Sequence, residues 1–211
     1  MSNQRKENII FDLGGVIINL DMDHTFDKFS QLFGHDVRSQ IIEDYPKYKF
    51  FQQYEVGAIG DDEFRNSLRK LAKSEVDDAQ LDDAWNSMLG DLPGERIDWI
   101  EELVKEYNVV ILSNTNSIHI NRFNHIFGQS SKYNLPEDLF HKTYYSHEIN
   151  DRKPNKSCFQ YVLDDFGMIP GETIFYDDNL DNINTASDLG INAVLVERNL
   201  LRKDQLPNGE K

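Results

Sequence analysis

The sequence predicts an α/β fold in which a doubly wound parallel sheet carries an inserted, all-helical domain. Three observations lead to this prediction. Short apolar runs alternate with segments of helical periodicity, polar residues stand at the C-terminal ends of the runs, and one long stretch has helical patterns without a strand. Alternating strands and helices are typical of parallel sheets joined by helical crossovers.

Four apolar runs predict buried strands, and a weaker run predicts a fifth. Strands of a parallel sheet covered on both faces are apolar throughout rather than alternating. The first run covers residues 9–11 and is followed by the turn signal Gly14-Gly15. The other runs, of which the last is the weaker one, cover residues 109–112, 173–176, 193–196 and 143–145.

Helices are predicted between these strands because apolar residues recur there three and four positions apart. The predicted helices cover residues 94–107, 157–166 and 180–189. Together with the strands they predict a Rossmann-like core domain over residues 1–19 and 93–211.

The stretch between the first two predicted strands has helical spacing only. Its apolar positions cluster around aromatic residues, which we interpret mainly as packing groups: Phe50, Phe51, Tyr54 and Trp85. We therefore predict an all-helical cap domain over residues 20–92.

Composition limits the cellular setting and the partners. The formal net charge of −15 disfavours nucleic acid, because an acidic surface repels phosphodiester backbones. The single cysteine, Cys158, reads as a small core residue and fits a reducing compartment. There is no apolar run of the roughly 18 residues that a membrane span needs, and residues 1–8 do not resemble a secretory signal. We expect a cytoplasmic protein with no membrane partner, and the oligomeric state stays open.

Polar residues at the strand ends form the candidate site. They are Asp12, Ser113, Asn114, Lys153, Asp177 and Asp178. Ligands bind at the carboxyl edge of open parallel sheets. Carboxylates gathered in one volume need a cation, and Mg²⁺ suits oxygen ligands beside a phosphate. An ionised carboxylate next to a metal-bound phosphate can attack phosphorus.

Four motifs in this order resemble those of the haloacid dehalogenase superfamily. They are Phe11-Asp12-Leu13-Gly14-Gly15-Val16-Ile17, Leu112-Ser113-Asn114-Thr115-Asn116, Arg152-Lys153-Pro154 and Phe175-Tyr176-Asp177-Asp178-Asn179. The family also places a helical cap at the position of residues 20–92. The resemblance implies a cytoplasmic, magnesium-dependent phosphatase that acts on a small phosphorylated metabolite through an aspartyl-phosphate intermediate.

The resemblance also implies roles for the metal site. Asp12 would be the nucleophile and a ligand of Mg²⁺, together with Asp178 and the backbone carbonyl of Gly14. Asp177 would be a further acidic neighbour of the metal.

The remaining motif residues are implied to hold the phosphoryl group. Ser113 and Asn114 would donate hydrogen bonds to it, and Lys153 would neutralise its charge. Lys153 would thus serve both binding and catalysis.

One position departs from the family pattern. Phosphatases of the family usually carry a second Asp, the general acid and base, two residues after the nucleophile, where this chain has Gly14. A positioned acid is worth about 10²–10⁴-fold in rate. Asp21, Asp23 and His24 are candidate substitutes. A family branch with Gly at this position resembles the chain and is associated with sugar-1-phosphate phosphatases, such as α-glucose-1-phosphate phosphatase, whose anomeric leaving group needs less help.

Two other functions stay open at this point. A metal-independent 2-haloacid dehalogenase also lacks the second Asp, although it has no need of the pair Asp177-Asp178. A degenerate, non-catalytic protein that binds a phosphorylated ligand is the other alternative, and Gly14 is the feature that supports it.

Overall fold

A parallel sheet of five strands lies at the centre of the computed structural model, which describes residues 7–44, 48–73 and 75–207. The strand order is β3-β2-β1-β4-β5. The strands are β1 (Asn8–Phe11), β2 (Asn108–Ser113), β3 (Lys142–Tyr145), β4 (Thr173–Asp177) and β5 (Asn192–Leu195). All neighbouring pairs are parallel, so the predicted α/β fold with a parallel sheet is confirmed.

Helices fill the connections between the strands. In chain order they are α1 (Met22–Phe33), α2 (Val37–Asp44), α3 (Phe50–Glu55), α4 (Asp61–Ala72), α5 (Asp78–Asn86), α6 (Gly94–Glu106), α7 (Ser117–Ser130), α8 (Ser146–Ile149), α9 (Lys156–Phe166) and α10 (Leu180–Asp188). The three predicted core helices correspond to α6, α9 and α10. Helix α7 was not among the predicted helices.

The sheet separates two apolar layers. On β1, Ile9 and Phe11 pack into one layer with the apolar faces of α6 and α7. Ile10, which points the other way, packs with α9 and α10. Cys158 of α9 is fully buried in this second layer, as predicted. The core is therefore a three-layer, doubly wound arrangement.

Helices α1 to α5 pack around an apolar cluster of their own. Phe64 is fully buried in it, and the Tyr54 ring stacks on Phe64 with 4.1 Å between the ring centroids. Ile118 of α7 belongs to the same cluster, so the helical stretch is joined to the core. The division into a cap of residues 20–92 and a core of residues 1–19 and 93–211 stays a prediction, and residues 1–6 and 208–211 lie outside the described part.

None of the helices in the described residues has both the length and the apolar composition that crossing a bilayer requires.

Candidate active site

The predicted acidic residues meet at the carboxyl edge of the sheet. Asp12 follows β1 directly, while Asp177 ends the adjacent strand β4 and precedes Asp178. One carboxylate oxygen from each of the three lies within 4.8 Å of the others. Strand pairing fixes this arrangement, because Phe11 of β1 is in register with Tyr176 of β4. Three hard oxygen ligands in such a cluster suit Mg²⁺.

Lys153 connects two of these acids. Its side chain is 1% exposed, and its Nζ lies 2.8 Å from an oxygen of Asp12 and 2.6 Å from one of Asp177. The Asn114 side chain holds the backbone of Lys153 from both sides: its Oδ1 accepts from Lys153 N at 2.9 Å, and its Nδ2 donates to Lys153 O at 2.8 Å. Asn114 therefore positions the lysine, and one amide hydrogen is left for a ligand.

The two adjacent acids have different surroundings. Asp177 is fully buried and accepts hydrogen bonds from Asn182 Nδ2 at 3.0 Å and from Asn179 N at 2.8 Å, besides its contact with Lys153. Asp178 is partly exposed and pairs with Arg198, whose side chain is 53% exposed. Asp178 can therefore bind a cation through a carboxylate oxygen without breaking a buried ion pair. Asp177, in contrast, is held in its buried ion pair with Lys153.

Burial and charge set the protonation of the cluster. Burial raises the pKa of Asp12 to about 7; Lys153 opposes this shift, and the charges of Asp177 and Asp178 add to it. Burial alone would lower the pKa of Lys153, but Asp12 and Asp177 together raise it, so the ammonium stays charged. Lys153 and Arg198 together carry two positive charges against three carboxylates, and a divalent cation would favour ionised Asp12.

The two glycines after β1 differ in their surroundings. Gly15 has a φ of +79°, and a Cβ on it would lie 2.6 Å from Asp178 Oδ2. Gly14 does not have a positive φ, but a Cβ there would lie 2.7 Å from Leu20 Cδ1. Leu20 thus fills the place of the carboxylate that the family pattern puts at position 14.

The suggested substitutes for that carboxylate lie elsewhere. Asp21 caps α1, accepting from His24 N at 3.1 Å, and Asp23 pairs with Arg38. All three candidates, Asp21, Asp23 and His24, are exposed. None of them lines the cavity described below.

The segment after β2 turns directly into α7. Ser113 ends the strand and is buried. Asn116, rather than Ser113 or Asn114, is the N-cap of α7: its side chain accepts from His119 N at 3.1 Å. The helix N-terminus therefore begins beyond the residues predicted to bind phosphate.

A cavity of about 270 Å³ opens between this segment and the helices of the predicted cap. Its lining is Leu20, Met22, Thr25, Phe26, Phe29, Ile41, Phe51, Glu55, Trp85, Met88, Asn114, Thr115, Asn116 and His119. Phe51 and Trp85, interpreted from sequence as packing residues, thus also face the cavity. Glu55 and His119 carry the titratable groups of the lining. His119 follows the second motif closely in the chain, whereas no sequence feature predicted that Glu55 approaches the site.

The missing acid leads to a prediction about position 14. We expect the double variant Gly14→Asp/Leu20→Ala to hydrolyse an alkyl phosphate about 10²-fold faster than Gly14→Asn/Leu20→Ala, because only the former adds a proton donor. Initial rates of phosphate release measure this. Equal rates for the two variants would mean that another group already protonates the leaving oxygen.

The fold and the acidic site define a phosphoryl-transfer enzyme of the α/β class, and comparison with known proteins gives the family. The sequence matches the haloacid dehalogenase-like hydrolases over residues 6–190. It is 32% identical over 189 residues to a D-ribitol-5-phosphate phosphatase of Bacteroides thetaiotaomicron, covering 87% of this chain and 88% of that protein. The chain belongs to the haloacid dehalogenase-like hydrolases and is a phosphatase-type member, a phosphoric monoester hydrolase.

Solved structures agree with this assignment. A magnesium complex of a haloacid dehalogenase family enzyme from Bacteroides thetaiotaomicron has a TM-score of 0.85 at 35% identity, covering 92% of this chain and 94% of that one. The wild-type form of that enzyme with magnesium and inorganic phosphate has a TM-score of 0.80 at 36% identity, covering 90% and 94%.

Proposed function

We propose that the protein is a magnesium-dependent phosphatase that hydrolyses a small sugar phosphate or sugar-alcohol phosphate through an aspartyl phosphate on Asp12. The observation that carries this proposal is the placement of the Lys153 ammonium between Asp12 and Asp177, with Asp178 completing the acidic cluster. A nucleophile, a fixed cation and a set of oxygen ligands then lie within one small volume.

The acidic cluster fits Mg²⁺ by its donor set. Asp12, Asp178 and the Gly14 carbonyl would hold the ion, and Asp177 would act mainly by holding Lys153 next to Asp12. When bound, the ion neutralises charge on the phosphoryl oxygens and helps to orient them. The magnesium complex of the related enzyme supports this choice of metal.

The chain's own residues account for the steps of transfer. Asp12 attacks phosphorus in line with the leaving oxygen, and the phosphorus–oxygen bond to the leaving group breaks. The alkoxide takes a proton from solvent and departs as the alcohol. The Lys153 ammonium stabilises the charge on the transferred group, and Ser113 donates to it. Water then attacks phosphorus, which releases phosphate and frees the Asp12 carboxylate.

The choice of substrate class rests on the relative and on the cavity. The relative is a D-ribitol-5-phosphate phosphatase, so its substrate is a phosphorylated polyol. A cavity of about 270 Å³ beside Asn114 is large enough for a pentose-sized leaving group and not for a polymer. A sugar 1-phosphate, suggested by the absent acid at Gly14, belongs to the same class and is compared in the test below.

The alternatives from the sequence have less support. A dehalogenase has no use for a metal-binding cluster, and here Asp177 and Asp178 both adjoin the nucleophile. A non-catalytic binder would not need Lys153 fixed by two carboxylates and by Asn114.

Phosphate release from a panel of esters tests the proposal. The panel is D-ribitol 5-phosphate, a hexose 1-phosphate, a hexose 6-phosphate and a nucleoside monophosphate, each with Mg²⁺ or with excess EDTA. We expect turnover of at least one sugar or polyol phosphate with Mg²⁺ and a loss of at least about 10²-fold in EDTA, because the ion supplies several kcal/mol of charge stabilisation. Turnover unaffected by EDTA, or none at all, would contradict the proposal.

A further inference from the structure

The cavity beside the acidic cluster has polar atoms in a mainly apolar wall. The helices of the predicted cap contribute Phe26, Phe29, Phe51 and Trp85, while the segment after β2 contributes Asn114, Thr115, Asn116 and His119. In ligand sites of this kind, a few placed polar groups determine which ligand is accepted. The hydrogen-bonding capacity of these groups therefore indicates the kind of ligand that fits the cavity.

His119 presents an unpaired acceptor. The residue is 7% exposed, and its Nδ1 lies 3.0 Å from Asn86 Oδ1. An amide oxygen only accepts, so Nδ1 carries the hydrogen and Nε2 is left with its lone pair. Within the described residues, Nε2 is buried without a hydrogen-bond partner. Such a group is costly unless a ligand satisfies it.

The ring of His119 is also held in place. It stacks on Trp85 with 4.7 Å between the ring centroids and 17° between the planes. Trp85 Nε1 in turn donates to Asn116 Oδ1 at 3.4 Å. Burial lowers the pKa of His119 to about 3, so the imidazole is neutral and accepting at neutral pH.

Glu55 supplies a second acceptor in the same cavity. Its Oε2 lies 2.8 Å from Arg152 Nε, which compensates one oxygen of the carboxylate. The end of α3 is anchored to the core, since Ser146 Oγ donates to Glu55 O at 2.5 Å and Asn150 Nδ2 donates to Val56 O at 3.1 Å. The carboxylate is thus positioned from outside the predicted cap.

We propose that His119 Nε2 and the Glu55 carboxylate accept hydrogen bonds from hydroxyl groups of the leaving group and so select polyhydroxylated phosphate esters. The proposal rests on the phosphatase function and names two residues that determine its specificity. An alkyl phosphate leaves both acceptors unpaired, and a leaving group with its own carboxylate brings a like charge against Glu55. A polyol satisfies both.

Two esters with the same carbon number provide the test: D-ribitol 5-phosphate and n-pentyl phosphate. The selectivity, defined as the ratio of their kcat/KM values, is measured for wild type, His119→Asn, His119→Gln and Glu55→Gln. The Asn amide ends near the position of Nδ1 and leaves nothing at Nε2, whereas the Gln amide reaches the Nε2 position. Matched controls are His125→Asn, on the exposed side of α7, and Glu63→Gln, exposed on α4.

We expect the selectivity to fall about tenfold in His119→Asn and in Glu55→Gln, as the loss of one hydrogen bond to a hydroxyl predicts. His119→Gln should recover part of it, and the controls should keep the wild-type ratio. Unchanged selectivity in His119→Asn and Glu55→Gln would overturn the proposal. An equal loss of kcat/KM for both esters would also overturn it. So would a Glu55→Gln variant that is slowed on every ester with an altered pH profile, which would indicate proton transfer.

Equilibrium binding separates this proposal from the phosphatase function. The dissociation constants of the two esters are measured calorimetrically with the Asp12→Asn chain, alone and combined with His119→Asn or with Glu55→Gln. If the wild type hydrolyses no ester of the panel but this binding preference depends on His119 and Glu55, the phosphatase proposal fails and the assignment of the two acceptors stands. If hydrolysis occurs and the preference does not depend on His119 or Glu55, the reverse holds.

Discussion

Asp12→Asn is expected to lower kcat by about 10⁴-fold or more, the scale of loss found when a covalent nucleophile is removed. The amide is neutral and a poor nucleophile, and it cannot form the aspartyl phosphate. Phosphate release under saturating ester and Mg²⁺ measures the effect. Asp27→Asn, an exposed change on α1, is the matched control and should retain wild-type activity.

The thermal stability of Asp12→Asn distinguishes a loss of chemistry from misfolding. Burial raises the pKa of Asp12, so an ionised carboxylate there is unfavourable to the folded state at neutral pH. Because the folded state raises the pKa of Asp12, the free energy of unfolding falls as the pH rises above the pKa that Asp12 has in the unfolded chain. A neutral Asn at this position avoids that loss. The metal-free variant should therefore unfold at no lower a temperature than wild type. A Tm several degrees lower would attribute the inactivity to misfolding instead.

Lys153→Met should have the second large effect, and it should act on both catalysis and stability. We expect kcat/KM to fall by about 10³-fold, because the charge that faces the phosphoryl group is lost. The free energy of unfolding should fall by about 3–5 kcal/mol, since the change leaves Asp177 buried without a cation. Chemical denaturation without metal and steady-state kinetics with Mg²⁺ measure the two losses.

A double variant separates the two effects. In Lys153→Met/Asp177→Asn the uncompensated buried charge is gone, so most of the lost stability should return while activity stays low. Lys105→Met, which breaks the exposed pair with Glu102, is the control and should change stability little. If the double variant is no more stable than the single one, Lys153 stabilises the fold by packing rather than by charge.

The fold was predictable because its signals are local. Residues 9–11 and 109–112 are apolar throughout, and short runs of this kind bounded by turn residues are typical of strands buried on both faces. Each of the helices α6, α9 and α10 was predicted from a single apolar stripe in the sequence. The weak run at residues 143–145 proved to be the edge strand β3, whose side chains are less buried and therefore less clearly marked.

The grouping of the acidic residues was also predictable. Asp12 and the pair Asp177-Asp178 directly follow or end apolar runs, and the carboxyl ends of parallel strands share one edge. Their proximity in the structure agrees with that expectation, while their roles as nucleophile and metal ligands stay proposals. Helix α7 was not predicted, since its N-cap, Asn116, follows the strand after only a few residues.

What the sequence by itself determined is the sheet, the core helices and the set of acids at its edge, because each depends on neighbours within a turn or a strand. Tertiary structure alone decided that Leu20 lies against Gly14, that Glu55 pairs with Arg152, and that His119, a residue of the cavity lining, has a buried nitrogen without a partner among the described residues. These contacts join residues far apart in the chain. The spacing of apolar residues does not predict these contacts, because they depend on how the helices between β1 and β2 pack onto the core.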